Sequence, residues 1–206
     1  LWQIVEDIKR RYTVDERRIH VTGLSAGGGM AVAMLVAHAD KIASGAAVAG
    51  LPYAETASAV RHALNNRPRY RPVVAIVRAM RAEMGELERA IPLQIVHSRH
   101  DDKVEIEAAR LLRDSWGHCF GIDTRQAQTL ASGRNGDTTW EHRCYRGERA
   151  DAVVETLFLD GPGHGWYGGN PGRFSYPDAP DIKRDIWKFF VAHPLERRKR
   201  ARVEAA

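Results

Sequence analysis

Long apolar runs are missing from this chain: the longest, Met30 to Val36, falls far short of the roughly 18 residues that a membrane span needs. No membrane partner is expected. Cysteine is scarce, with only Cys119 and Cys144 among 206 residues; their number and spacing form no zinc-site pattern, and they permit either one disulfide or two free thiols. A secretion leader is also lacking, and the chain starts on leucine, so we expect that an upstream segment has been removed. Neither hydrophobic residues at 44% nor charged residues at 28% depart from globular values, which excludes disordered and fibrous classes. One catalytic-size domain over 1–195 is expected.

Acidic residues are the minority, 26 against 31 Lys and Arg, giving a net charge of +5. Much of the excess is local: Arg197, Arg198, Lys199, Arg200 and Arg202 lie in the last ten residues. A terminal charge run reads as a solvated, flexible tail over 196–206. Arg67, Arg69 and Arg71 alternate with Pro68, Tyr70 and Pro72, as at a loop entrance. No helix-turn-helix, zinc-finger or RNA-recognition signature is found, so nucleic acid is not the expected partner.

What is present alternates. Leu1, Ile4, Val5, Ile8 and Tyr12 recur at helical spacing; a strand over Arg18 to Thr22 follows, then the nearly all-apolar helix "MAVAMLVAHA". "KIASGAAVAG" reads as a second strand and "PLQIVHS" as a third, separated by a helical excursion from Leu51 to Ala90 that Pro68 and Pro72 break. A helix carrying Val104, Ala108, Leu111, Leu112 and Trp116 comes next, then a polar loop "ASGRNGDTTW", a fourth strand "AVVETLFLD", and a last helix from Pro180 with Ile182, Ile186, Phe189 and Phe190 on one face. Strands alternating with helices imply an α/β fold, a mostly parallel sheet with helices on both faces and functional groups beyond the carboxyl ends of its strands.

Three residues of the right chemistry follow three such strands. Gly23-Leu24-Ser25-Ala26-Gly27 fits G-x-S-x-G, a tight strand-to-helix turn that lifts a serine while the next amide, of Ala26, faces a developing oxyanion. The stretch lacks the Lys-Ser/Thr ending of a P-loop, and Val32 stands where a dinucleotide fingerprint would need glycine. A serine needs a base, and His164, between glycines in "GPGHGW", is best placed to supply it. The base needs a carboxylate to orient it: Asp101, with Asp102 as the alternative. His97, His100 and Asp101 could be drawn as a metal cluster, but no further ligand pattern supports one.

"RYTVDERRIHVTGLSAGGGMA", "AGLPYA", "HSRHDDKV", "GPGHGWYGG" and "DIKRDIWKFF" together resemble the polyhydroxybutyrate depolymerase-like esterases, α/β-hydrolases related to feruloyl and acetylxylan esterases. The likeness covers nearly the whole chain. It implies a serine esterase with Ser25 as nucleophile, Asp101 as acid and His164 as base, an ester substrate, no cofactor, an exported protein, and a disulfide between Cys119 and Cys144. Trp166 and Tyr167 are expected beside the substrate, and the excursion over 51–90 above its pocket. Two departures stand out: Ser98 where the family pattern has glycine and Tyr167 where it has proline, both expected to alter substrate fit. Only about twenty residues precede the elbow, so the resemblance also implies a carboxyl-terminal part, without the strands and second oxyanion donor that come first in this fold. Losing such a donor costs about a hundred- to a thousandfold in turnover. A catalytically silent binding module is the alternative.

Overall fold

The computed structural model describes residues 1–55, 70–86 and 89–196. The Arg197–Arg202 charge run, Arg67 and Arg69 lie outside them, as does residue range 56–69 of the expected excursion. Helix α1 spans Trp2–Arg11, β1 His20–Leu24, α2 Ala26–Ala37 and β2 Ser44–Val48; α3 is Val73–Met84, β3 Leu93–Ser98 and α4 Ile106–Phe120. The hairpin β4 (Gln128–Asn135) and β5 (Thr138–Arg146) leads into β6 (Val153–Asp160); the short β7 (Trp166–Tyr167) and β8 (Ser175–Tyr176) precede α5 (Ile182–Ala192).

Six strands form one sheet in the order β1-β2-β3-β6-β5-β4, with β1, β2, β3 and β6 parallel and the hairpin antiparallel on the far edge. The central strands β2 and β3 are buried at every position, as expected of parallel strands covered on both faces. One face holds α2, α3 and α4 through Val32, Leu35, Ile76, Met80, Leu112 and Trp116 against Leu93, Ile95, Tyr145 and Val154. The other is closed by α5, whose Ile182, Ile186, Phe189 and Phe190 pack on Ala46, Val48, Val96 and Leu157. This is the α/β layering inferred from the alternation.

Two expectations change. The polar "ASGRNGDTTW" is mostly a hairpin: Asn135 and Thr138 pair across the two-residue loop Gly136-Asp137, with Gly136 at φ 56°, so Gly-Asp supplied the turn signal, while the largely exposed β4 had no apolar alternation to reveal it. The excursion's described helix α3 starts after Pro72 and lies in the layer against the sheet rather than above the strand ends, because Ile76, Val77 and Met80 are its buried face. Helix α1 buries none of its residues fully; Leu1, Ile4, Ile8 and Tyr12 are exposed, and Trp2 provides the anchor by stacking on His38 at 4.6 Å.

Candidate active site

Strand β1 runs in register with β2 to Leu24 and Val48, and the next amide, of Ser25, donates to the Val48 carbonyl at 2.9 Å before the chain turns into α2. That turn holds Ser25 at φ 59°, ψ −121°, a conformation that costs a non-glycine residue about 1–3 kcal/mol. The neighbours explain how it closes. A Cβ on Gly23 would lie 2.3 Å from the Gly27 carbonyl oxygen, and one on Gly28 would lie 2.9 Å from both Gly50 Cα and the Val48 oxygen. On Gly27 a Cβ would meet nothing within 4 Å. Close approach is thus required of Gly23 and Gly28, whereas Gly27 is on the open side of the first helical turn.

Ser25 occupies the N-cap position of α2, where serine commonly spends its hydroxyl on a free amide of the first turn. Here it makes no capping bond. Ala26, the first helical residue, is exposed, and its N–H belongs to the helix-start amides that have no intrahelical acceptor.

Two strands away, Asp101 follows β3 and is 7% exposed. Its Oδ1 accepts from the amides of Lys103 (2.9 Å) and Val104 (2.8 Å), closing the turn, and its Oδ2 faces His164 Nδ1 at 2.7 Å. One carboxylate therefore both closes the turn and faces the imidazole. Asp102 is turned outward onto Lys103 at 2.8 Å, which holds its carboxyl below the ordinary range. Burial and partner distinguish the two aspartates.

The loop after β6 brings His164 back over the end of β3. Ser98 Oγ donates to the Pro162 carbonyl, the Gly161 amide donates to His100 Nδ1 (3.1 Å), and Tyr167 Oη donates to the Gly163 carbonyl (3.2 Å). Ser98 and Tyr167 are both fully buried. Tyr167 as a direct substrate contact is corrected accordingly: both side chains fasten the histidine loop. Burial pushes the Tyr167 phenol above its ordinary pKa, so it stays a donor. Trp166 is half-buried beside them. Among the described residues no hydrogen bond joins Ser25 to His164; the imidazole bond formed is the one to Asp101.

His97, set aside in sequence with the metal cluster, is buried at 0% exposure, with Nε2 2.7 Å from the Val104 carbonyl and 3.6 Å from Asp101 Oδ2. Burial lowers its pKa, so the ring is neutral and Nε2–H donates, bracing the aspartate turn. Among the described residues no group of three His, Cys, Asp or Glu is placed to hold a metal ion. The implied disulfide is also absent, and both thiols are free. Cys119 on α4 packs with the core on one face of the sheet, while Cys144 on β5 packs with the core on the other. The sheet separates them.

Several imidazoles are held neutral by the fold. Burial first, then the Arg18 charge, lowers His20 to about 4; its Nδ1 is 2.8 Å from Ser44 Oγ and its ring stacks on Phe190. Burial likewise lowers His97 and His193. An unfolded histidine takes its proton near pH 6.5, so below that value the unfolded chain binds more protons and folding loses ground. Stability is expected to be full above about pH 6.5 and to decline as pH falls toward 4, with His20 contributing about 1–2 kcal/mol after allowance for solvent screening at its half-exposed position. Thermal melts from pH 7.5 to 4 check this, and His20→Asn should flatten part of the slope.

Fold and site together define a class: an α/β-hydrolase sheet with a strained serine after one strand and an Asp-His pair after two others. The particular likenesses agree. The chain is 27% identical over 172 residues to the poly(3-hydroxyalkanoate) depolymerase C of Paucimonas lemoignei, covering 79% of this chain and 39% of that protein. Its fold is similar to an acetyl xylan esterase from Aspergillus awamori (TM-score 0.65, 16% identity, 93% of this chain and 65% of the other). It is also similar to the PHB depolymerase from Penicillium funiculosum (TM-score 0.60, 16% identity, 91% and 55%) and to a PHB depolymerase complexed with an R3HB trimer (0.60, 15%, 87% and 52%). No family model matches. The chain thus spans about two fifths of the curated relative and half to two thirds of these structures.

Proposed function

We propose that the chain carries the nucleophile elbow, acid and histidine of a serine carboxylic-ester hydrolase. The observation that carries this reading is the pairing of an uncapped serine at φ 59° with a buried His164–Asp101 bond of 2.7 Å, both at the carboxyl ends of parallel strands. Ser25 Oγ attacks the ester carbonyl as His164 takes its proton; the carbonyl oxygen, now negative, is met by the Ala26 amide and the positive end of α2. The tetrahedral adduct collapses by breaking the bond to the alcohol oxygen, which His164 protonates. Water, deprotonated by the same imidazole, then releases the acid and restores the serine. Asp101 holds Nδ1–H and leaves Nε2 free to act.

The depolymerase and acetyl xylan esterase likenesses support an ester as substrate, and a polyester or acyl-sugar ester as its class. Export is part of the same proposal. Among the described residues no helix is long and apolar enough to cross a membrane.

A second reading, a silent hydrolase-like module, is favoured by the missing Ser25–His164 hydrogen bond, although such bonds are often long in unliganded sites. Intact-mass labelling with a fluorophosphonate separates them. The expected result is one phosphonyl adduct on the chain, lost in Ser25→Ala and His164→Ala; an unlabelled, folded chain would favour the silent module.

A further inference from the structure

Phe174 is out of place by ordinary rules. It is 48% exposed, and its backbone sits at φ 60°, a region that a bulky side chain adopts only at a cost. An exposed ring recovers little of that cost by burial. Yet the loop holds it firmly: its carbonyl accepts the Trp166 amide at 2.8 Å where β7 meets β8, and a Cβ on Gly165 would lie 2.5 Å from that same oxygen. The ring stands nearly perpendicular to the His164 imidazole, with centroids 6.2 Å apart at 80°. Over it, at 5.1 Å, lies the guanidinium of Arg173, which makes no ion pair among the described residues. Strain, exposure and a spare cation thus coincide beside the base.

We infer that Phe174 and Arg173 form the subsite for the alcohol part of the ester, with preference for an alcohol that is apolar or aromatic next to its oxygen and carries an anionic group beyond it. The inference rests on the serine-hydrolase reading, which fixes the direction of the substrate. His164 must protonate the departing alcohol oxygen, so the alcohol part lies on the imidazole side of Ser25 and the acyl part away from it. A group edging His164 therefore meets the alcohol. The Phe174 ring supplies a flat apolar wall. Arg173, delocalised and weakly hydrated, suits both the ring that it covers and a carboxylate that it would pair with.

The test varies the alcohol at constant acyl group: ethyl acetate, benzyl acetate and 4-(acetoxymethyl)benzoate, with an ethyl acetate to ethyl butyrate series as control. Phe174→Gly is the clean deletion, because glycine accepts φ 60° freely and the loop keeps its path. It should melt no lower than the parent, yet lose at least fivefold of the kcat/KM preference for benzyl over ethyl. Arg173→Gln should lose at least fivefold of the preference for the carboxylated over the neutral benzyl ester, and the parent's preference should shrink with added salt. Acyl-chain ratios should not move in either variant. Unchanged alcohol ratios, or a shift in the acyl ratios instead, would overturn the assignment. If Ser25-dependent hydrolysis is absent, the hydrolase reading fails, and saturation-transfer NMR with 4-(hydroxymethyl)benzoate decides the subsite separately: binding lost in both variants upholds it as a ligand site, and no binding to the parent removes it.

Discussion

Asp101→Asn is expected to lower ester turnover by about 10⁴-fold while leaving the chain folded. The two effects separate because the carboxylate's oxygens have different partners. Asparagine can keep its carbonyl oxygen where Oδ1 accepts from the Lys103 and Val104 amides, so the turn into α4 survives. Its amide nitrogen would then confront His164 Nδ1, now 2.7 Å from Oδ2, donor against donor. The imidazole is driven to carry its proton on Nε2, the nitrogen that must accept from the serine, and loses the charge that stabilises its imidazolium; in serine proteases this change alone costs roughly that factor. Asp101→Ala removes both functions. It should match the asparagine variant in turnover and, by orphaning two amides, also lose about 1–3 kcal/mol of stability. Steady-state hydrolysis of a p-nitrophenyl ester, read beside urea melts, checks the pair. Equal activity in Asp101→Asn and parent would remove Asp101 from the mechanism.

The second large effect is expected at the elbow glycines, and it discriminates between them. Gly23→Ala drives a Cβ to 2.3 Å from the Gly27 oxygen, and Gly28→Ala drives one to 2.9 Å from Gly50 Cα and the Val48 oxygen; in each case the obstacle is backbone, which cannot rotate away. Overpacking of this kind typically costs about 1–3 kcal/mol and sometimes more. The turn would have to open, moving Ser25 off its position, and proximity effects are steep enough that about 1 Å can cost a hundredfold in rate. Gly27→Ala should be tolerated, since the space is open and alanine gains up to about 1 kcal/mol of helix propensity over glycine. Chemical denaturation of the three variants, with fluorophosphonate labelling rates, gives the order. Destabilisation by Gly27→Ala equal to that by Gly23→Ala would contradict this account of the turn.

The glycine contrast also marks where pattern reading stops. G-x-S-x-G treats its two glycines alike, whereas the crowding falls on Gly23 and on Gly28, a residue beyond the motif. Gly28 is constrained by Val48 at the end of β2 and by Gly50 just after it, 20 and 22 residues later in the chain, and no local pattern contains that strand's path. For the same reason Tyr167 read as a candidate for substrate contact and Ser98 as a departure altering substrate fit. Their chemistry was visible, but their direction was not, because side-chain orientation in a loop follows from what the loop packs on. Phe174 had no signal of its own in "GGNPGRFSY"; its place beside His164 depends on β8 returning to β7.

The cysteines make the point by burial. One disulfide was compatible with their number, yet Cys119 and Cys144 lie on opposite faces of one sheet, a separation decided when β5 joined β6. The α/β alternation, the α5 stripe of Ile182, Ile186, Phe189 and Phe190, and the positions of Ser25, Asp101 and His164 after three parallel strands were legible in the sequence alone. They follow from local rules: hydrophobic period, turn chemistry, and the tendency of parallel strands to end together. Which aspartate turns inward, which glycine is crowded, which aromatic meets solvent and which thiols can meet were decided by the tertiary structure. Each depends on atoms brought close from distant parts of the chain, where distance and burial, rather than residue type, set the energy.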